Sequence, residues 1–146
     1  AFIMDNAEHY HLTERFDAYC QALKDHDLLI EEKYIKQMPL TIAGGYQGTI
    51  DLLKETDVRA IFCCDDMLAI GCYQALYDSG KKMNQDITII SFDGGEVTQI
   101  LRPQIKSVRQ PYEELGKAYA EKIQMAIDQP DRRMDDRLFQ VTFETT

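Results

Sequence analysis

With 146 residues, 45% of them apolar and 28% charged, the chain has the length and composition of one ordinary globular domain and no repetitive or strongly biased segment. Its formal net charge of −9, with no cluster of Lys and Arg, sets up a field that repels polyphosphate, so the chain by itself is not expected to bind DNA. The longest apolar runs, residues 60–64 and 87–92, fall far short of the roughly twenty residues that cross a bilayer, so a soluble protein is expected.

The chain opens on Ala1-Phe2-Ile3-Met4, an apolar run that reads as the inside of a strand, without an initiator Met or a signal peptide. Its first residue is therefore expected to be a boundary within a longer protein. Leu12, Phe16, Tyr19, Cys20 and Leu23 then recur at helical spacing up to about Lys24. Residues 29–35 mix apolar and charged side chains in a way that suits a second strand. Thr41 is suited to cap a helix whose inner face is Ile42, Tyr46, Ile50 and Leu53, with Gly44 and Gly45 weakening its first turn.

Residues 58–64 form an apolar strand ending in Asp65-Asp66, whose carboxylates suit the positive end of the next helix. Met67, Leu68, Cys72, Ala75 and Leu76 give that helix its stripe, and Gly80 marks its stop. Residues 87–92 are nearly all apolar, as in a central parallel strand covered on both faces, and Asp93-Gly94-Gly95 ends them with a turn. After a strand at residues 105–108, Pro111 stands at the start of a helix striped by Tyr112, Leu115, Tyr119, Ile123 and Ile127, and a last strand is expected near residues 138–143. Alternating strands and helices predict a mostly parallel α/β sheet with right-handed crossovers. Ligands of such sheets gather at the carboxyl ends of the strands, where Asp5, Asp65, Asp66 and Asp93 all fall.

Three readings fit those carboxylates. Asp65 and Asp66 cap a helix while Asp93 starts a turn. Alternatively they collect Mg²⁺ for phosphoryl chemistry, which a Gly-rich phosphate loop would support and this sequence lacks. Or they accept hydrogen bonds from the hydroxyls of a polar ligand such as a sugar, with Arg15 supplying fixed donors, although a surface arginine would look the same. No GxSxG or HExxH pattern occurs, and His9, His11 and His26 are not paired with a nucleophile signature, so no catalytic residue, enzyme activity, metal or cofactor is expected. Cys20, Cys63, Cys64 and Cys72 lack zinc-like or redox spacing, and adjacent Cys63 and Cys64 would face opposite ways in a strand, so buried reduced thiols of a cytoplasmic protein are expected.

The stretch Ala60-Ile61-Phe62-Cys63-Cys64-Asp65-Asp66-Met67-Leu68-Ala69-Ile70-Gly71 resembles the lactose repressor (LacI/GalR) family's apolar strand followed by Asn-Asp or Asp-Asp and a nearby Met-Ala-Ile-Gly. Gly80, Asp86-Ile87-Thr88-Ile89-Ile90-Ser91-Phe92-Asp93 and Ser107-Val108-Arg109-Gln110-Pro111-Tyr112-Glu113-Glu114-Leu115-Gly116 follow in that family's order and spacing. Residues 1–5 and 15–23 are similar to the opening of its second subdomain, with Ala18 where the family has glycine. Leu40 stands where an aromatic platform is usual, and Asn84 where a proline is usual. Phe92-Asp93-Gly94-Gly95 is also similar to periplasmic sugar-binding proteins of the same fold, which form the alternative reading.

The resemblance implies a three-layer α/β fold with a doubly wound sheet, periplasmic binding protein-like. Residues 1–110 would be the C-terminal effector-binding subdomain. Residues 111–146 would be a helix and final strand that partly belong to the other subdomain in the full-length family. It implies a small-molecule effector, a sugar above all, bound by Arg15, Leu40, Asp65, Phe92, Asp93 and Gln110, the last at the cleft hinge. It implies a homodimer that uses exposed apolar positions on the helix of Ile70 and Tyr73 and the loop of Ile100 and Leu101. DNA would be contacted only through an N-terminal head outside this chain.

Overall fold

The computed structural model describes residues 1–5 and 10–129, so His9 and the strand expected near residues 138–143 lie outside the described residues. In chain order the elements are β1 (Phe2–Asp5), α1 (Tyr10–Asp25), a short 3-10 turn (Glu32–Tyr34), β2 (Ile35–Met38), α2 (Ile42–Glu55) and β3 (Ala60–Cys63). There follow α3 (Asp66–Asp78), β4 (Thr88–Asp93), α4 (Glu96–Ile100), β5 (Lys106–Arg109) and α5 (Tyr112–Asp128). They fall into two compact units, Ala1–Val108 and Arg109–Thr146.

In the first unit the strands lie in the order β2-β1-β3-β4-β5. The pairings of β1 with β2, β1 with β3 and β3 with β4 are all parallel. Phe2 stands beside Phe62, and Ile3 beside Cys63. Because side chains alternate along a strand, Phe2 and Phe62 share one face of the sheet, and Ile3 and Cys63 the other. On the first face α1 closes an aromatic cluster: the Phe2 ring lies 5.6 Å from Phe16, 4.9 Å from Tyr19 and 5.2 Å from Phe62 between centroids. On the second face α2 and α3 pack Leu52, Leu68, Cys72 and Leu76, all fully buried, over Ile3, Ile61, Cys63 and Ile89. Helices on both faces of a parallel sheet make this the doubly wound α/β fold expected from the alternation of elements.

The second strand differs from its expected position. Residues 28–31 are irregular, and β2 begins only at Ile35, where the residues 29–35 reading ends. Pairing decides the matter: Phe2 aligns with Ile35 and Asp5 with Met38, so the sheet edge is made by the later residues, while Leu28, Leu29 and Ile30 remain 56%, 83% and 39% exposed.

The buried face of α2 is also rotated from the expected one. Gly44, Gly45, Gly48, Thr49 and Leu52 are buried, whereas Ile42, Tyr46, Ile50 and Leu53 sit at the margins. A methyl group at Gly45 would meet the Leu68 carbonyl oxygen at 2.0 Å, and one at Gly71 would meet the Ile42 carbonyl oxygen at 2.0 Å. Gly45 and Gly71 are thus the point of contact between α2 and α3, and two helix backbones approach here more closely than any side chain allows. The Thr41 cap is found as expected, its Oγ1 accepting a 3.0 Å hydrogen bond from the Gly44 amide.

Ile89 and Ser91 of β4 are fully buried, but Ile90, on the α1 side, keeps 37% of its surface exposed. The strand is therefore covered on one face and partly open on the other, contrary to the reading of its unbroken apolar run. Asn84, where a proline is usual in the resembling family, has φ 64 and donates its amide to the Ile87 carbonyl at 2.8 Å. A proline offers neither that φ nor that N–H. In the second unit, α5 has no buried residue, and Tyr112, Tyr119, Ile123, Met125 and Ile127 are all about half exposed or more.

Candidate functional site

In a doubly wound sheet the crevice opens at the carboxyl ends of the strands where successive connections leave in opposite directions. Here that point lies between β1, whose next connection leads outward to β2, and β3, whose connection leads to β4. Asp5 ends β1 there, Cys64 and Asp65 follow β3, and Asp93 ends β4.

Arg15 reaches into this crevice from α1. Its Nη1 donates to the Cys64 carbonyl, its Nη2 lies 3.3 Å from Asp93 Oδ1, and its guanidinium carbon stands 3.9 Å from the centre of the Phe92 ring. The planar guanidinium thus uses its fork on two acceptors and its face on an aromatic ring. Both partners of the pair are largely sheltered, with Arg15 13% and Asp93 22% exposed. Asp93 carries φ 104 and is followed by Gly94 at φ 71. A non-glycine residue in that region costs about 1–3 kcal/mol and is kept only where its surroundings hold it.

The adjacent aspartates take separate jobs. Asp65 is the cap of α3, its Oδ1 accepting from the amides of Met67 at 2.6 Å and Leu68 at 3.3 Å. Burial pushes its carboxyl above the ordinary value, those two amides pull it back, and the neighbouring Asp93 and Asp66 push it up again. Asp66 is buried and faces inward, accepting from the Ser91 hydroxyl, from the Gly95 amide at 2.7 Å and from the Ser107 hydroxyl at 3.4 Å. The capping reading holds for Asp65. Asp66 is instead a junction between α3, β4, β5 and the turn after β4, a role the sequence reading missed. The signal was Ser91, a hydroxyl between Ile90 and Phe92 in a largely apolar strand, which needs a buried partner.

Of the residues expected to bind an effector, Arg15, Phe92 and Asp93 come together, with Asp65 one residue beyond the carbonyl that Arg15 holds. Leu40, past the end of β2, packs partly buried against the core. Gln110 belongs to the second unit, where its carbonyl accepts from the Tyr112 amide at 2.9 Å. Among the expected interface positions, Ile70 departs from its expected exposure: it is 8% exposed, tucked into the contact surface of α3. Tyr73 is half-buried and donates its hydroxyl to the Arg102 carbonyl at 2.8 Å, Leu101 leans on the core, and Ile100 is 70% exposed.

Cys63, Cys64 and Cys72 are buried and unbridged, and Cys20 is partly exposed. The Cys63 partner is not its neighbour but Cys72, one Sγ 3.3 Å from the other across the β3–α3 interface. Burial pushes the Cys64 thiol up to about 11, and burial together with the Cys72 contact raises Cys63 as well, so neither is an activated nucleophile. Among the described residues no group of three or more His, Cys, Asp or Glu is placed to hold a metal ion, and no helix is long and apolar enough to cross a membrane.

A doubly wound domain with an arginine-centred polar cluster at its switch point belongs to the class of α/β domains whose ligands gather at the carboxyl ends of the strands. The description "periplasmic binding protein-like domain" matches residues 1–144, and the chain belongs to that family. Its curated relatives are LacI-family repressors. The ribose operon repressor of Haemophilus influenzae is 31% identical over 118 residues, which are 80% of this chain and 36% of the repressor. Among solved structures, the regulator CcpA of Lactococcus lactis superposes with a TM-score of 0.83 at 25% identity, covering all of this chain and 55% of that one. A LacI-family regulator of Enterococcus faecalis with bound ribose gives 0.77 at 26% identity, covering 90% of this chain and 46% of its own. The chain spans about a third of the length of the curated relatives it matches.

Proposed function

We propose that this chain is the effector-sensing region of a cytoplasmic LacI-family transcriptional regulator, and that its effector is a sugar held at Arg15, Phe92 and Asp93. The observation that carries this reading is the Arg15 assembly, in which one guanidinium is fixed by a backbone carbonyl, a carboxylate and an aromatic face at once. Arg15 and Asp93 together offer donors and acceptors to vicinal hydroxyls, while Phe92 supplies apolar surface for a ring face. Asp65 adds a further carboxylate beside them. The relatives named for ribose repression, and the ribose-bound regulator among the neighbours, make D-ribose the first compound to try.

The rest of the regulator supplies the other wall of the cleft and the DNA-binding head, and the protein works as a homodimer with Tyr73, Ile100 and Leu101 at or near the contact. Effector binding shifts a two-state hinge between subdomains and thereby the spacing of the paired heads. The test is calorimetric titration of the full-length regulator with D-ribose and a panel of other mono- and disaccharides, repeated with Arg15→Ala and Asp93→Ala. Saturable binding lost in both variants is the expected result. A folded regulator that binds no member of the panel would remove the sugar reading.

A further inference from the structure

Asp93 is held in a disfavoured backbone conformation, yet its carboxylate must meet Arg15, so something has to fix the turn that carries it. Thr98 donates its hydroxyl to the Gly95 carbonyl at 2.8 Å and Gln99 reaches the Gly94 carbonyl at 3.5 Å, both beyond Asp93, whereas Asp66 contacts the chain before and after it. One carboxylate oxygen accepts from the Gly95 amide at 2.7 Å, two residues past Asp93; the other accepts from Ser91, two residues before it. Asp66 thus grips the chain on both sides of Asp93. It also reaches the Ser107 hydroxyl on β5 at 3.4 Å, and it sits in the first turn of α3 beside the Asp65 cap, only 7% exposed. Gly95 is shaped to this contact: a methyl group there would lie 3.0 Å from Asp66 Oδ2.

We propose that Asp66 is a positioning residue of the effector site: without touching the ligand, its carboxylate clamps Ser91 and Gly95 and so holds Asp93 in the conformation that pairs with Arg15. The inference rests on the reading of Arg15 and Asp93 as the binding pair. It gives the second aspartate of the Asp-Asp motif a task distinct from that of the first. Capping α3 is done by Asp65, so removal of Asp66 should loosen the turn after β4 and leave the start of α3 intact.

Two variants attack the same contact from opposite sides. Asp66→Ala removes the acceptor. Gly95→Ala keeps the amide at an ordinary φ of −64 but presses on the carboxylate, and it serves if the first variant does not fold. Amide hydrogen exchange followed by NMR on this chain should show the position-95 amide exchanging roughly tenfold faster in either variant, with the Leu68 amide unchanged. The Arg15 guanidinium resonances should shift with it. Asp66→Asn, which retains one oxygen for Gly95 and can donate to Ser91, should restore the protection. In the full-length regulator, D-ribose binding should weaken roughly tenfold or more in Asp66→Ala. Ile89→Val, a truncation in the core of β4, should lower stability without that loss of affinity.

Unchanged exchange at position 95 in both variants would overturn the proposal, as would a freed turn with unaltered Arg15 resonances or unaltered D-ribose affinity. If the unmodified regulator binds no sugar, the effector reading fails by itself, and the position-95 and Arg15 resonances still decide the role of Asp66.

Discussion

Gly45→Ala separates two opposing physical effects at the α2–α3 crossing. Judged by helix preference alone, alanine in a helix interior is better than glycine by about 1 kcal/mol. The structure argues the reverse. The new methyl carbon would stand 2.0 Å from the Leu68 carbonyl oxygen and 2.7 Å from its carbonyl carbon, where unstrained contacts need about 3.5 Å. The obstacle is backbone and cannot rotate away, so the helices must part by roughly 1.5 Å and loosen the packing of Leu52, Leu68 and Cys72. Overpacking of this kind costs about 3 kcal/mol, at the upper end of the usual range, and the helix preference returns about 1, leaving a net loss of about 2 kcal/mol. Gly71→Ala meets Ile42 and Tyr46 backbone at 2.0 and 2.5 Å and should lose a similar amount. Because either change opens the same crossing, the double variant should lose about 3 kcal/mol rather than about 4. Urea unfolding followed by far-ultraviolet circular dichroism measures all three, the chain having no tryptophan to report by fluorescence. A Gly45→Ala protein more stable than its parent, or strict additivity in the double variant, would refute the close-approach argument.

Removing the cap in Asp65→Ala should cost about 1 kcal/mol at neutral pH, whereas Asp65→Asn, which keeps an acceptor without a half-buried charge, should cost much less. Urea midpoints at pH 7 distinguish them. Since burial raises the Asp65 carboxyl above the ordinary 3.8, its favourable contribution belongs below that pH and is lost as pH rises through the folded value, so the parent's small advantage over Asp65→Asn should widen in acid. Cys64, raised from 9.0 to about 11, favours the folded state in its neutral form. That contribution is present below pH 9 and is lost as pH rises toward 11, so thermal stability should fall across that window and fall less in Cys64→Ala. At pH 8 a thiol-reactive dye should label partly exposed Cys20 quickly and the three buried thiols only on unfolding; rapid labelling of more than one site would contradict their burial.

The fold was legible where sequence pattern and burial speak the same language. The apolar run of β1, the stripe of α1 and the aspartate cap of α3 are local signals, and each element stands within a residue or two of its expected place. The misplacements arose where tertiary contact outweighs pattern. β2 is set by register against β1 rather than by the apolar content of residues 29–35, and α2 buries glycines because α3 needs its backbone close. The site was partly readable for a different reason. Arg15 and Asp93 lie 78 positions apart, and nothing local joins them; resemblance to a family did. Asp65 and Asp66 look alike on paper, and only the fold turns one toward amides of its own helix and the other inward to Ser91 and Gly95.

Arg15 is the immediate neighbour of Phe16, and Phe16 is a wall of the aromatic cluster with Phe2, Tyr19 and Phe62. The guanidinium is therefore mounted on a bearing made of core rings, and its aim is no steadier than theirs. A substitution such as Tyr19→Leu or Phe62→Leu would reseat α1 by fractions of an ångström and mis-set the arginine, although neither residue belongs to the polar cluster around Arg15. A mutational survey scored by ligand response should accordingly return hits among these rings, and their apparent action at a distance would be one of mechanical alignment, requiring no relay of signal through the protein.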